Sequence, residues 1–139
     1  MDQSLTTIMH KCSAGSINAT ITFPEVVKQL MDIGAESYHC DLYRREKTYY
    51  MPDGDSYVDA WPDVPAGKIG GAAIAMSFSD DGIKAALVAV QTRAIDYPEF
   101  IRRIEAAGCT GYSVFIRGRC ALYYGRNGEV FREPFPQAK

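Results

Sequence analysis

The chain has 139 residues, of which 47% are hydrophobic and 23% are charged, and it carries a net charge of -2. These values predict one domain, spanning residues 1–139, that is large enough to bury its own core. The acidic balance argues against a nucleic-acid surface. No apolar run approaches the ~18 residues that cross a bilayer, and the N-terminus lacks the basic and apolar segments of a signal peptide. We therefore expect a cytoplasmic protein without a membrane partner.

The cysteines and the short motifs indicate no cofactor. The four cysteines show no Cys-x-x-Cys spacing, and two of them fall in strand-like segments. Such cysteines are typical of small buried side chains in a reducing compartment, so we expect neither disulfides nor a metal site. The chain also lacks the glycine-rich, nucleophile-elbow and zinc-binding motifs that indicate a cofactor or a known reaction. The cysteines are Cys12, Cys40, Cys109 and Cys120.

The first half of the chain predicts two helices followed by three strands. Apolar residues at spacings of three and four predict a helix over residues 4–14. A second helix begins at Thr22, where Glu25 completes a capping box, and it ends at Gly34, because glycine accepts the left-handed conformation without a side-chain clash. Alternating side chains then predict an antiparallel meander with strands at 36–43, 46–51 and 56–59.

A stretch rich in proline and glycine joins the two halves. Residues 61–71 contain two prolines and three glycines, which predicts a linker. Residues 72–78 fit either a strand or a helix. Ser79 or Asp80 then caps a third helix.

The second half of the chain repeats this order. A fourth helix begins at Asp96 with a second capping box and ends at Gly108. The dipeptide at 127–128, Asn-Gly, is a strong hairpin signal, and a two-residue turn there places Tyr124 opposite Phe131. Both faces of this meander are then largely apolar, and such a sheet must be covered on both sides. Its strands are predicted at 110–116, 119–125 and 129–133.

The two halves match without a gap when the sequence is shifted by 74 positions. The matches fall on helix starts, helix ends, turns and aromatic positions, where physics restricts the choice of residue. We therefore predict an α+β fold with an internal duplication, in which residues 1–60 and 75–135 each form two helices and an antiparallel meander covered by them. The matched pairs include Pro24 and Pro98, Gly34 and Gly108, Tyr38 and Tyr112, Arg45 and Arg119, and Gly54 and Gly128.

Two histidine-containing pairs could carry chemistry. His39 and Asp41 lie two residues apart on one face of the predicted first strand, close enough for acid–base work or for holding a metal. The alternative is an ordinary solvated strand face. His10 and Cys12 have a metal-like spacing, but on a helix that spacing points the two side chains apart.

Two tyrosines and two arginines are candidate ligand-binding residues. Tyr50 and Tyr124 belong to the repeated Tyr-Tyr pairs, which could form a stacking platform or could be core and interface aromatics. Arg119 and Arg126 flank strand ends, where they could grip an anion. The alternative for both arginines is a loose surface charge.

The sequence also resembles a known family. Residues 95–136, with Gly-Tyr-x-Val at 111–114 and Tyr-Tyr-Gly-Arg at 123–126, are similar throughout to domain-of-unknown-function family 1398. Residues 37–54 match as well. These are small bacterial and prophage-borne proteins, often labelled "phage envelope protein", and the resemblance implies no established activity. This chain has Arg45 where the family tends to have glycine after the first strand.

Two functional hypotheses follow. The first is a non-enzymatic binding or interaction module that self-associates as a homodimer through apolar strand or helix surface. The second is a small-molecule-binding protein or enzyme with a polar pocket walled by His39, Asp41 and Tyr50. The sequence leaves the ligand, any further protein partner and the presence of catalytic activity open.

Overall fold

The protein is described by a computed structural model that covers residues 1–61 and 74–135. Its helices are α1 (Gln3–Ile17), α2 (Phe23–Asp32), α3 (Asp80–Gln91) and α4 (Tyr97–Ala106). Its strands are β1 (Ser37–Asp41), β2 (Glu46–Tyr50), β3 (Ser56–Ala60), β4 (Cys109–Phe115), β5 (Cys120–Gly125) and β6 (Val130–Pro134).

Part of the predicted join between the halves is not described. Apart from Trp61, the predicted linker at 61–71 lies outside the described residues, as do the first two residues of the ambiguous segment at 72–78. The remainder of that segment, residues 74–78, forms neither a helix nor a strand. The third helix then begins as predicted, because the Ser79 hydroxyl accepts a hydrogen bond from the backbone N–H of Gly82 at 3.0 Å.

The starts of α2 and α4 use the predicted capping residues in different ways. At α2, the Glu25 carboxylate accepts a hydrogen bond from the backbone N–H of Thr22 at 2.8 Å. At α4, the Asp96 side chain accepts from the backbone N–H of Glu99 at 3.0 Å. The Glu99 carboxylate does not reach back, because it pairs with two arginines one turn further along the helix. The prediction of a complete second capping box is therefore wrong.

Both predicted helix-ending glycines adopt the left-handed conformation. Gly34 has a φ of +79° and Gly108 a φ of +89°, which confirms the prediction for both positions. Their surroundings differ. A Cβ atom on Gly34 would meet nothing within 4 Å, whereas a Cβ atom on Gly108 would lie 2.3 Å from the carbonyl oxygen of Ser77.

The six strands form one antiparallel sheet in the order β3-β2-β1-β4-β5-β6. The two meanders join edge to edge through β1 and β4, which pair in the middle of the sheet. Four helices beside one antiparallel sheet confirm the predicted α+β class.

The predicted register of the last hairpin is wrong by one residue. Tyr124 lies opposite Val130, and Phe131 lies opposite Tyr123. The reason is a three-residue loop: Gly125 pairs with Glu129 through a 2.9 Å backbone hydrogen bond, so three residues rather than two connect the strands. Phe131 therefore faces the opposite side of the sheet from the one predicted.

The helices cover one face of the sheet. Buried side chains from all four helices and from alternate strand positions form one core cluster. We call this side the covered face and the other side the open face. The covered face includes Tyr38, Cys40, Lys47, Tyr49, Tyr112, Val114, Ala121 and Tyr123, all buried. The open face includes Ser37, His39, Asp41, Glu46, Thr48, Tyr50, Val58, Ser113, Phe115, Cys120, Leu122, Tyr124, Val130 and Arg132, all half-buried or exposed.

Left-handed backbone positions recur at the spacing of the predicted repeat. Eight residues within the described ranges have positive φ, and they fall into four pairs whose members are 74 positions apart. This agreement supports the hypothesis of an internal duplication, which a superposition of the two halves would test. The pairs are Ala19 and Arg93, Gly34 and Gly108, Arg45 and Arg119, and Gly54 and Gly128.

The first turn of each meander is closed by an arginine lying over an aromatic ring. The guanidinium carbon of Arg45 lies 5.8 Å from the ring centroid of Trp61, and that of Arg119 lies 5.4 Å from the ring centroid of Phe135. In both turns the arginine carbonyl also accepts the backbone N–H of that aromatic residue at 2.9 Å. Arg45 takes the left-handed conformation, with a φ of +58°, that glycine adopts most readily.

Candidate functional site

His39 lies at the centre of the open face and pairs across the β1–β4 junction with Ser113. Leu42 and Thr110 form a hydrogen-bonded pair in the β1–β4 ladder. Hydrogen-bonded and non-hydrogen-bonded pairs alternate along an antiparallel ladder, so His39 and Ser113 form a non-hydrogen-bonded pair. Side chains approach most closely at such pairs. The Nδ1 atom of His39 accordingly lies 2.8 Å from the Ser113 hydroxyl oxygen.

The His39 ring is half-buried and holds little charge at neutral pH. It lies over Gly111, where a Cβ atom would be 3.4 Å from both Cε1 and Nε2 of the imidazole. The Tyr124 ring centroid lies 6.0 Å from the imidazole centroid. Burial lowers the pKa of His39 below its ordinary value of 6.5, and the charge of Asp41 opposes this shift only in part. A neutral imidazole can accept a proton from a hydroxyl group.

Asp41 lies on the open face with His39, but its carboxylate is engaged elsewhere. One oxygen accepts hydrogen bonds from the backbone N–H groups of Tyr43 at 3.0 Å and Arg44 at 3.1 Å. Asp41 therefore shapes the β1–β2 turn. It affects His39 through charge and makes no hydrogen bond to the imidazole.

The candidate tyrosines share the open face, whereas the candidate arginines lie in turns. Tyr50 is 39% exposed and Tyr124 is half-buried beside the imidazole. The other tyrosine of each pair is buried on the covered face, so each Tyr-Tyr pair contributes one ring to each side. Arg126 donates to the carbonyl oxygen of Ile74 at 2.8 Å, and Arg119 lies over Phe135. The structure therefore places Tyr124 beside His39 and Tyr50 on the same face, and it gives both arginines partners within the chain.

A second candidate site surrounds Lys47 on the covered face. Its side chain is only 2% exposed, and its ammonium nitrogen lies 5.3 Å from the ring centroid of Tyr38 and 4.9 Å from that of Tyr97. Among the described residues, no acceptor makes a hydrogen bond or an ion pair with this ammonium group. Strand alternation could have found this site, because Lys47 shares its side of β2 with Tyr49.

Charged and polar groups border Lys47 at the edge of the sheet. Asp59 lies opposite it on β3, but both Asp59 carboxylate oxygens lie 3.2 Å from Nδ1 of His10. Burial lowers the pKa of Lys47 below its ordinary value of 10.5, and the negative charges that Cys40 and Cys12 carry as thiolates, together with the charge of Asp59, oppose the shift. The result is an amine that gives up its proton more readily than a surface lysine does.

Two tyrosine hydroxyls meet close to Lys47. The hydroxyl oxygens of Tyr97 and Tyr112 lie 2.5 Å apart, and the Cys40 sulfur lies 3.9 Å from the Tyr97 oxygen. Burial raises the pKa of both tyrosines well above the ordinary value of 10.0. Both phenols therefore stay protonated at neutral pH and act as hydrogen-bond donors.

A third buried ionisable group lies at the end of α4. The Glu105 side chain is 2% exposed, and one carboxylate oxygen lies 3.0 Å from a guanidinium nitrogen of Arg45. Burial raises the pKa of Glu105 to about 7, although the positive charge of Arg45 acts in the opposite direction. This carboxyl group therefore changes charge near neutral pH.

His10 and Cys12, the pair on α1 with a metal-like spacing, point in different directions, as expected for two residues that lie two positions apart on a helix. His10 contacts Asp59, whereas the Cys12 sulfur lies 3.9 Å from the side-chain oxygen of Gln29. Within residues 1–61 and 74–135, no three His, Cys, Asp or Glu side chains converge as metal ligands. In the same ranges, no helix is both long enough and apolar enough to span a bilayer. All four cysteines are free thiols.

Comparison with known proteins supports the resemblance carried by the Gly-Tyr-x-Val and Tyr-Tyr-Gly-Arg motifs. No curated protein sequence matched the chain. One family model, described as "Protein of unknown function (DUF1398)", matches residues 15–133 and so covers both meanders and all or part of all four helices. The chain therefore belongs to the DUF1398 family of proteins of unknown function.

Proposed function

We propose that the protein is a binding module that forms a homodimer by packing together the open faces of two sheets. The observation that carries this proposal is the apolar character of a face that no described helix covers. Apolar side chains lie on five of its six strands. They are Tyr50, Val58, Phe115, Leu122, Tyr124 and Val130.

The exposure of these residues supports an interface. Val58 is 54% exposed, Val130 is 51% exposed and Tyr50 is 39% exposed. These three residues lie on the outer four strands, while the inner positions are half-buried, so the apolar surface extends across the sheet. Soluble monomers rarely leave apolar patches larger than a few hundred Å² in water. Packing two sheets face to face removes such a surface from water.

The charges of the open face favour a second copy of the chain as the occupant. Asp41 and Glu46 lie side by side in the first half, and Nε of Arg44 lies 2.6 Å from Oε1 of Glu46. Arg132 lies in the second half. A two-fold axis parallel to the strands places the first half of one sheet over the second half of the other. The acidic pair of each chain then lies over the half of the partner's sheet that carries Arg132. A two-fold symmetric interface needs such charge complementarity between its two copies.

Sedimentation of the full chain at micromolar concentration tests the homodimer. We expect the mass of two chains, and we expect Val130→Lys to weaken dimerisation by about tenfold or more, because it places a charge in an apolar contact. Val88→Lys is the matched control, since Val88 is 53% exposed but lies on α3. A wild-type mass of one chain over roughly a hundredfold range of concentration would overturn the proposal.

The hydrogen bond between His39 and Ser113 supports a second candidate function at the same face. A neutral imidazole 2.8 Å from a serine hydroxyl can activate that hydroxyl as a nucleophile toward a small molecule. A fluorophosphonate probe tests this activation. If the candidate is right, Ser113 is labelled and His39→Phe abolishes the labelling. An unlabelled Ser113 in the folded wild-type protein contradicts it.

A further inference from the structure

Lys47 is enclosed by aromatic rings where an ion pair would be expected. Its ammonium nitrogen faces the rings of Tyr38 and Tyr97, and the carboxylate opposite it, Asp59, is occupied by His10. Removing an ammonium group from water without a carboxylate partner is strongly unfavourable, and cation–π contacts offset only part of that loss. Lys47 therefore lowers the stability of the fold that encloses it.

The fold does not need a lysine at this position. The residue 74 positions later is Ala121, which is 2% exposed at the corresponding place on β5. The helix residues at one matched position also differ in size between the two halves. Ser13 of α1 is buried on the covered side of the first half, whereas the residue 74 positions later is Leu87 of α3. A smaller helix side chain thus accompanies the longer strand side chain.

Lys47 lies close to the edge of the sheet. Its neighbour Asp59 is on β3, which is an edge strand, and the His10 side chain bound to Asp59 is 58% exposed. The His10–Asp59 pair therefore lies beside the lysine at the edge of the sheet. This edge is the side from which a small molecule would approach the amine.

The neighbouring groups suit chemistry at a carbonyl carbon. A neutral amine is a nucleophile, and burial favours the neutral form of Lys47 by lowering its pKa. The hydroxyl pair of Tyr97 and Tyr112 can donate a hydrogen bond to an oxygen on which negative charge develops. The ring of Tyr38 can then stabilise the product when its imine nitrogen is protonated, through the same contact that it makes with the ammonium group.

We propose that Lys47 is an amine nucleophile that forms an imine with a small aldehyde. The ammonium group first releases a proton to water. The nitrogen lone pair then adds to the carbonyl carbon, and one of the two protons on the nitrogen passes to the former carbonyl oxygen to give a neutral carbinolamine. The hydroxyl group leaves with the second nitrogen proton as water, and the nitrogen lone pair forms the carbon–nitrogen double bond. Amine and aldehyde thus yield imine and water, with no oxidant or reductant.

Reductive trapping on the full-length wild-type protein tests the proposal. The probe is acetaldehyde with cyanoborohydride, and mass spectrometry of peptides follows the modification of each lysine over time. Lys28 is the internal reference, because it lies on α2 with 77% of its side chain exposed. We expect Lys47 to react faster than Lys28 at pH 7, because burial lowers the pKa of Lys47 and so raises the neutral fraction of its amine.

The pH profile and one variant complete the test. Modification of Lys47 should begin at a lower pH than modification of Lys28, and Lys47→Met should abolish the fast phase without changing the rate at Lys28. A Lys47 that reacts no faster than Lys28 at any pH, in a protein shown to be folded by circular dichroism, would overturn the proposal. This result would leave the homodimer proposal untouched, because Lys47 lies on the covered face.

Discussion

The two halves of the chain share the positions of their left-handed residues and differ in what they bury. Each half places its left-handed residues at matching positions, and each closes its first turn with an arginine over an aromatic ring. The covered face of the first half nevertheless holds Lys47 and Asp59, where the second half has Ala121 and Glu133. Turns, caps and alternation therefore set this backbone, while the interior chemistry varies within it. Function is best sought where the matched residues differ.

Substitutions at positions 47 and 121 should change the free energy of unfolding most. Ala121→Lys should lower the free energy of unfolding by about 4 kcal/mol or more, since it adds both volume and an unpaired charge to a packed site. Lys47→Met should raise it by about 1–3 kcal/mol, because the enclosed ammonium group is removed while the volume is kept. Urea denaturation of both variants measures these changes. A loss of stability in Lys47→Met would show that the cation–π contacts outweigh the burial of the charge.

The pH dependence of stability provides a second readout for Lys47. Burial lowers the pKa of Lys47, so between its folded pKa and 10.5 the unfolded chain holds more protons than the folded chain. Stability from this group therefore rises with pH across that window. The rise should be absent in Lys47→Met, and denaturation at a series of alkaline pH values measures it. An unchanged slope in the variant would place its origin elsewhere.

The next largest difference in stability should lie between alanine variants of the two helix-ending glycines. Both have positive φ, so alanine costs about 1 kcal/mol in strain at either position. Gly108→Ala also drives a methyl group into the carbonyl oxygen of Ser77, which a Cβ atom would approach to 2.3 Å. We expect Gly108→Ala to lose about 3 kcal/mol and Gly34→Ala about 1 kcal/mol in thermal or urea denaturation. Equal losses of stability in the two variants would mean that the backbone around Ser77 moves to accommodate the methyl group.

The buried carboxyl group at the end of α4 should make stability fall as pH rises from 4.5 toward neutrality. The pKa of Glu105 is about 7 in the folded protein and 4.5 when unperturbed, so the folded chain holds the extra proton between these values. Stability is therefore lost as pH rises from 4.5 to about 7, by on the order of 2–3 kcal/mol. Glu105→Gln should flatten this slope in urea denaturation between those pH values. The control is Met31→Gln, at the exposed matching position on α2.

The smallest effect should come from the arginine turns. Arg119→Gly removes one exposed cation–π contact but relieves the left-handed strain, so we expect a change within about 0.5 kcal/mol. Arg45→Gly should cost more above pH 7, because it also removes the guanidinium group 3.0 Å from Glu105. Chemical denaturation of both variants at pH 8 compares them. Equal changes would remove the predicted difference between the two turns.

Local signals along the chain predict most of the fold. The cap at Ser79 and the glycines at 34 and 108 were predictable because a helix end restricts a few residues strongly. The last hairpin was not, because Asn127-Gly128 fits two loop lengths, and the loop that forms shifts Phe131 to the other face. Loop length depends on how both strands pack, which a dipeptide does not encode.

The candidate sites were less predictable than the fold. The shared face of His39 and Asp41 follows from alternation along one strand. Ser113 was missed because its contact with His39 depends on β1 pairing with β4, and no local pattern states which strands of two meanders meet. Lys47 was missed because an isolated lysine in a strand is usually solvated, so its burial becomes visible only once α1 and α4 cover that face.

The central strand pair suggests how such a chain could have arisen. His39 and Ser113 face each other and are 74 positions apart, so a two-fold axis relating the proposed repeats would pass between them. A half-length ancestor would have left β1 as an unpaired edge, and two such chains could have joined β1 to β1 with residue 39 opposite itself. Residues 1–61 expressed alone should then form dimers, and a folded monomer would contradict this history. Gene fusion would have converted a concentration-dependent assembly into one chain whose central strands are always in reach of each other.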